Sequence, residues 1–312
     1  MTFKIYSSIC ALGVRRIAIF FAVFISFTMI ALEEDLQKGD KKYTLAICAV
    51  FKNEEKSLRE WIEYHQLIGV DHFYLYNVAS KDKSLRILAP YISQGLVTLI
   101  NWYDLPNQQQ DDTTWSLALE IPAYQHAIKY KAIQDSKWII FLDTHEFLVP
   151  QGNKIIDVLE KYKECSGIVL KRDYFDASKA NFPESKLVIQ AVTLSETTGQ
   201  SHERSVEKTI LKPEDCEAFS WPPFKCKFKA GGLVREATRS ELRVNRYVQR
   251  SFSDSLFRKT KNKLYIDANT CSEGEVRELL NLGYEIEDQE RAIYHFVPEL
   301  LKRMGYSTGW EW

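Results

Sequence analysis

The stretch YTLAICAVF, residues 43–51, does most to narrow what this chain can become. It is apolar throughout, without the alternation that a strand with one wet face would show. Such a run reads as a strand covered on both faces, as in a parallel sheet. The pattern then repeats. KSLREWIEYHQLIG places Leu58, Trp61, Ile62, His65 and Ile68 on one helical face, with Gly69 as its C-cap. HFYLYNVAS (72–80) reads as a second strand. SLRILAPYISQG reads as a helical segment interrupted by Pro90 and ending near Gly95. LVTLINWY is a third strand. After the polar LPNQQQDDTTW, a helix is expected from Ser116 to Asp135 with Pro122 near its first turns, and WIIFLD is the fourth strand. Alternating strands and helices argue for an α/β fold with a mostly parallel sheet flanked by helices.

From residue 151 the pattern loosens. IIDVLEKYKE (155–164) predicts a helix, GIVLKRDYF and KTILKP predict strands, and WPPFKCKFKAGG a loop or hairpin rim. The C-terminal part reads as mixed helices, with SFSDSLFRKTK, GEVRELLNLG and VPELLKRMG as the clearest. The basic stretch 225–263, with KCKFK, RSELRVNRYVQR and FRKTKNK, reads as solvated helix and loop. Residues 43–312 are therefore taken as one catalytic domain with a C-terminal helical elaboration.

The N-terminus has a different character. Ile17 to Leu32 carries no charge, with Lys4, Arg15 and Arg16 before it and Glu33, Glu34 and Asp35 after it. It is somewhat shorter than the ~20 residues of a spanning helix. The flanking charges orient such a segment N-in, C-out. An uncleaved signal-anchor and a cleaved signal peptide both fit, and the want of a small-x-small cleavage site favours the anchor. The expected layout is a tail (1–16), an anchor (17–32), a linker (33–42, EEDLQKGDKK) and the domain on the non-cytoplasmic side, or a secreted domain after cleavage. Of six cysteines, Cys10 precedes the apolar segment and Cys48 lies in the first strand. Cys165, Cys216, Cys226 and Cys271 could form up to two disulfides in an oxidising compartment. Without a Cys-x-x-Cys pair, a structural zinc site is not expected. Lys plus Arg (41) balances Asp plus Glu (42), which argues against a nucleic-acid binder.

In open α/β sheets, ligands sit beyond the carboxyl ends of the strands. Two of those ends carry chemistry here: Lys52-Asn53-Glu54-Glu55 after the first strand and Asp143-Thr144-His145-Glu146 after the fourth. No Gly-x-Gly-x-x-Gly follows the first strand, and no Walker lysine or Gly-x-Ser-x-Gly motif is present. On an extended segment, Asp143 and His145 would point the same way and could share Mn²⁺ or Mg²⁺, which in turn neutralises a diphosphate. Glu146 would point elsewhere, bracing the loop or facing an acceptor. Lys52 and Arg246 are candidate further cations, and Asn53 and Glu54 candidate ligand contacts at the end of the first strand. Asp173, Asp176 and Glu236 are undifferentiated candidates for a catalytic base, with Glu146 a further option. His65 is expected to be a core histidine, His126 and His202 to face solvent, and His295 to be structural. Trp102, Trp115, Trp221 and Trp310 are expected to pack in the core or rim, Trp221 being the best placed to stack on a sugar.

The blocks VFKNEEKSLREWIEYHQLIGVDHFYLYNVAS, LVTLINW and AYQHAIKYKAIQDSKWIIFLDTHEFLVP, with weaker echoes in KTILKP and VNRYVQRSFSDSLFRKTK, make residues 40–262 resemble glycosyltransferase family 92. The resemblance implies a GT-A, Rossmann-type fold and inverting, metal-dependent transfer of a sugar from a nucleotide-sugar, a UDP-sugar in particular, to a glycan or related acceptor at a membrane. The chain departs from the family at three places. Asp143-Thr144-His145-Glu146-Phe147 stands for Asp-x-Asp-Glu-Phe, Asn245-Arg246-Tyr247 for Asn-His-Tyr, and Asp176-Ala177-Ser178 for a Gly-Ser-Ser-like segment. Asp-x-His also resembles the metal motif of polypeptide N-acetylgalactosaminyltransferases. The departures leave a second expectation, a non-catalytic, membrane-tethered module that binds a nucleotide or glycan.

Overall fold

The computed structural model describes residues 41–103, 115–176, 187–190, 207–220, 225–248 and 290–306. The expected anchor, the helices read at 251–261 and 274–283, His202, Trp221, Trp310 and Cys271 lie outside the described residues.

The first half follows the sequence expectation closely. Strand β1 (Tyr43–Phe51), helix α1 (Leu58–Ile68), β2 (His72–Val78), α2 (Ser84–Ser93) and β3 (Val97–Trp102) succeed one another. Helix α3 (116–135) then leads into β4 (Ser136–Phe141). All the pairings among these four strands are parallel, in the order β3-β2-β1-β4. The reason for the unbroken apolar run in β1 is plain. Leu45, Ile47, Ala49 and Phe51 pack on one side with Leu58, Trp61 and Ile62 of α1 and Leu88 of α2. Ala46, Cys48 and Val50 pack on the other with Leu119, Ala123, Tyr124 and Ala127 of α3. Both faces are dry.

Local signals explain the element ends. Gly69 takes φ +103 at the C-cap of α1, and the Val70 N–H donates to the His65 carbonyl at 2.9 Å. A left-handed residue there suits glycine. In α3, Pro122 opens the α-helical piece Ile121–Ala127, and the wider π turn Ser116–Glu120 precedes it. Proline has no N–H to give to the preceding turn, and a π turn accommodates that loss.

The sheet continues beyond β4 in mixed sense. Strands β5 (Glu146–Pro150), β6 (Gly167–Asp176), β7 (Lys208–Leu211), β10 (Val234–Glu236) and β11 (Leu242–Val248) complete it, with helix α4 (Ile155–Lys161) between β5 and β6. The order runs β4-β7-β6-β11-β5, with β10 also on β6. Both β4–β7 and β7–β6 are antiparallel, so β6 runs in the direction of β4. Strand β11 lies parallel to β6 and antiparallel to β5. A separate hairpin, β8 (Cys216–Ser220) and β9 (Lys225–Phe228), carries the disulfide Cys216–Cys226. Cys48 and Cys165 are free and buried.

One sequence expectation is corrected here. RVNRYV is not solvated helix: it is β11, and Leu242, Arg243, Val244, Asn245 and Tyr247 are buried in it. The charges that suggested solvent exposure are paired inside, since Arg243 Nε lies 3.4 Å from Asp173 Oδ2 and donates to Asn245 Oδ1 at 3.1 Å. Among the described C-terminal residues the helix that remains is α5 (Val297–Met304), at VPELLKRM. Its Leu300 and Leu301 join the α1 side of the core.

The edge strand β5 is covered by α1. Trp61 Nε1 donates to the Glu146 carbonyl at 2.8 Å and Tyr64 Oη to the Leu148 carbonyl at 2.7 Å. The Leu148 N–H donates to His65 Nε2 at 3.2 Å, so His65 Nδ1 carries the proton shared with the Trp61 carbonyl at 2.7 Å. Burial pushes the imidazole down to about 3, so it stays neutral. His65 is the core histidine that its place on the apolar face of α1 predicts. His126, in contrast, does not simply face solvent: it is half-buried, bonded to Tyr76 Oη at 2.7 Å and packed against Trp102.

Candidate active site

Strand order reverses at β1. The chain runs outward from β1 to β3 with helices on one face, then returns across the other face through α3 to β4 on the far side of β1. Such a switch point opens a crevice beyond the carboxyl ends of the two flanking strands. Here those ends are Lys52–Glu55 and Asp143–Glu146, the two stretches the sequence marks as loaded.

The loop after β1 is stitched to the loop after β2. Asn53 takes φ +59, its N–H donates to Ser80 Oγ at 2.9 Å, and its Oδ1 accepts from the Lys81 N–H at 2.7 Å. The Glu54 N–H donates to Ser84 Oγ at 3.0 Å, and Glu55 exchanges bonds with Asp82 and the Lys83 N–H at 2.8 Å each. Asparagine tolerates the left-handed conformation, and its amide closes the turn locally. Its side-chain oxygen therefore holds the loop in shape. Lys52 stands half-buried at the head of the loop.

After β4, the Glu146 N–H donates to the Asp143 carbonyl at 3.0 Å, closing a four-residue turn. Asp143 and His145 thus sit on a turn and not on an extended strand, and the period-two argument for their shared direction does not apply. His145 instead reaches across the crevice, its Nε2 lying 3.5 Å from Glu54 Oε1. Burial disfavours a charge on His145, but the Glu54 hydrogen bond and charge outweigh it and lift the imidazole above its ordinary range.

Glu146 is the centre of the cluster and is fully buried. Its Oε1 accepts from Arg172 Nη1 at 2.8 Å and from Arg246 Nη1 at 3.0 Å. Its Oε2 meets Lys208 Nζ at 2.7 Å and accepts from the Asp143 N–H at 3.0 Å. Burial alone would raise the carboxyl, but Lys208, Arg246 and Arg172 override it and hold it well below the usual carboxylate range. Glu146 braces the turn, one of the two roles the sequence left open for it. Arg246 Nη1 also donates to Asp143 Oδ2. Asp143 chiefly, then Glu146, raise the guanidinium above its ordinary value, so it stays charged. Among the described residues, Arg172, Lys208 and Arg246 face the carboxylates of Glu146 and Asp143. Arg172 and Lys208 are buried with Glu146, whereas the Arg246 and Asp143 side chains are 32% and 28% exposed. The Arg246–Asp143 pair is therefore the part of the cluster that faces the crevice.

Arg172 and Lys208 did not stand out in the sequence. A signal was there nonetheless. An acid heading the apolar strand EFLVP must find cations if buried, and each of two other apolar strands carries a basic residue, in IVLKRDYF and KTIL.

The donor set does not fit a divalent ion. Among the described residues, no three His, Cys, Asp or Glu side chains are grouped to hold a metal. The Asp143 carboxylate is held by a guanidinium, and His145 faces Glu54.

The three base candidates separate. Asp173 Oδ2 accepts from Arg239 Nε at 2.8 Å, and Glu236 pairs with Lys171 Nζ at 2.9 Å. Lys171 and Asp173 share a strand phase opposite to that of Arg172, whose guanidinium reaches Glu146. Position 176 pairs with Val248 at the carboxyl end of β6. That is the end of the sheet where β4 also stops.

The site is a switch-point crevice of an α/β sheet, lined by acids and cations at the carboxyl ends of β1 and β4. Residues 41–263 match the model of Glycosyltransferase family 92, and the chain belongs to that family. A family 92 protein of Oryza sativa subsp. japonica is 28% identical over 123 residues, 39% of this chain and 19% of the relative. One of Ricinus communis is 23% identical over 178 residues, 57% of this chain and 30% of the relative. The chain thus spans less than a third of the length of these curated relatives. Among solved structures, S. aureus TarS 1–349 in complex with UDP is similar at TM-score 0.38 and 10% identity, over 83% of this chain and 72% of that one. Glucosyl-3-phosphoglycerate synthase from Mycobacterium tuberculosis, in complex with Mn²⁺, UDP and glucosyl-3-phosphoglycerate, is similar at TM-score 0.34 and 12% identity, over 88% and 84%.

Proposed function

We propose that this chain transfers a sugar from a nucleotide-sugar, a UDP-sugar in our reading, to a hydroxyl of a glycan or related acceptor, with inversion. The observation that carries this is the Arg246 guanidinium, partly exposed at the switch-point crevice and standing over Asp143 and Glu146. That charge suits the diphosphate of a donor lying across the carboxyl ends of β1 and β4. Lys52, Asn53 and Glu54 shape the nucleoside side.

In the reaction, the bond from the anomeric carbon to the β-phosphate oxygen breaks and its electron pair leaves with the phosphate. The acceptor oxygen bonds to that carbon from the opposite face, and its proton passes to a carboxylate base. Asp173, Asp176 and Glu236 are the candidates for that base; among the described contacts, Asp173 pairs with Arg239 and Glu236 with Lys171. Mn²⁺ or Mg²⁺ shared by Asp143 and His145 was the expectation from sequence. The donor set above disagrees with it, so no step is routed through a metal.

We place the domain on the non-cytoplasmic side of a membrane, tethered through residues 17–32. The Cys216–Cys226 disulfide supports this, since such bonds persist in oxidising compartments. The test of function is donor consumption by the full-length chain across a panel of nucleotide-sugars, with acceptor glycans and with water. Turnover of at least one donor, to a product of inverted anomeric configuration, is expected. Nucleotide binding without turnover of any donor would leave a binding module instead.

A further inference from the structure

The arginine at position 246 is in the wrong place for a metal enzyme and in a suitable place for a different device. Its guanidinium does not reach outward from the surface. Nη1 is pinned by Asp143 on one side and by Glu146 Oε1, at 3.0 Å, on the other. Glu146 cannot swing away, because Arg172 Nη1 at 2.8 Å and Lys208 Nζ at 2.7 Å hold it from behind, and it is fully buried. The backbone is fixed as well: Arg246 pairs with Glu146 on β5 and with Tyr174 on β6, and the Tyr247 N–H donates to the His145 carbonyl at 2.9 Å. Among the described residues, both contacts of Arg246 use the same nitrogen. This leaves Nε and Nη2 of the planar fork for a ligand.

We infer that Arg246 is a tethered cation, which binds the donor diphosphate and makes nucleotide recognition at this site independent of divalent ions. The inference rests on the nucleotide-sugar reading above and goes beyond it. A guanidinium held ready by two carboxylates needs no reorganisation when the phosphate arrives, and its fork matches two phosphate oxygens. A divalent ion would have to displace it from Asp143 first. In this account Asp143 and Glu146 position the cation, and neither ligates a metal.

The test is titration calorimetry of UDP into the purified full-length chain, in EDTA and in Mn²⁺, for wild type and Arg246→Met. Wild type should bind UDP in EDTA with an affinity within about threefold of that in Mn²⁺. R246M should lose at least about tenfold in both buffers. Circular dichroism on each sample reports whether the fold is kept. Should R246M unfold, Arg246→Lys carries the test. It keeps the charge and loses the fork, and about a threefold to tenfold weakening in EDTA is expected. UDP binding that needs Mn²⁺ would overturn the inference while leaving the nucleotide-sugar reading in place. So would binding in EDTA that a folded R246M or R246K retains in full. An absence of UDP binding in both buffers would overturn the inference and the reading beneath it together.

Discussion

His145 Nε2 stands 3.5 Å from Glu54 Oε1, and this contact joins the loop after β1 to the turn after β4. Both side chains are largely buried, at 15% and 20% exposure, so the pair is screened less than a surface pair. A double-mutant cycle of Glu54→Ala and His145→Ala, read by urea denaturation, should return a favourable coupling of about 1 kcal/mol. Additive single effects would mean that the crevice is closed by something other than this contact.

Glu146 meets two buried cations, Arg172 and Lys208, and the partly exposed Arg246. Replacing it with Gln removes the buried carboxylate that Arg172 and Lys208 face. Breaking a buried ion pair from one side costs about 3–5 kcal/mol. Glu146→Gln should lower the unfolding free energy by that amount in chemical denaturation. A loss below about 1 kcal/mol would show that the buried cluster is not organised around this carboxylate.

Tyr64 Oη donates to the Leu148 carbonyl at 2.7 Å across the outer edge of β5. Tyr64→Phe keeps the ring and leaves that buried carbonyl short of one partner, which costs about 1–3 kcal/mol. Faster amide exchange at β5 than at β1, compared with wild type, should accompany the loss. Unchanged exchange there would mean that the edge is held chiefly by β11.

Glu60 is buried in α1, and its carboxylate accepts from the Val188 N–H at 2.8 Å and the Ile189 N–H at 3.2 Å. Burial outweighs those two bonds and raises its pKa from the ordinary 4.5 to about 7. The folded chain then binds more protons than the unfolded one between those values, so stability falls as pH rises through that window. The contribution is complete below about pH 4.5 and gone above about 7. Between pH 5 and pH 8, wild type should lose about 3 kcal/mol that Glu60→Gln keeps, measured by urea midpoints at both pH values. Parallel pH profiles for the two proteins would contradict this.

The first half of the fold could be read from sequence because its signals are unambiguous. Strand β1 is apolar on both faces, Gly69 ends α1, and the polar clusters fall at strand ends. The spacing of Leu58, Trp61, Ile62, His65 and Ile68 marked one face of α1, but not that Trp61 and His65, with Tyr64, hold the backbone edge of β5. Strand β11 was missed because Arg243, Asn245 and Arg246 hide its alternation, and single-sequence patterning cannot see the Asp173 and Glu146 that neutralise them. The site was legible as two loaded strand ends. Its geometry was not: whether Asp143 and His145 lie on a strand or a turn depends on the Glu146 N–H bonding to the Asp143 carbonyl, and that bond follows from Glu146 being drawn inward by Arg172 and Lys208.

The most direct measurement of the central claim is a crystal structure of the full-length chain grown with UDP and excess Mn²⁺. The account predicts the diphosphate beyond the carboxyl ends of β1 and β4, with the Arg246 guanidinium in hydrogen-bond contact with its oxygens. A manganese ion bound between the Asp143 carboxylate and the diphosphate, with Arg246 turned away, would contradict it.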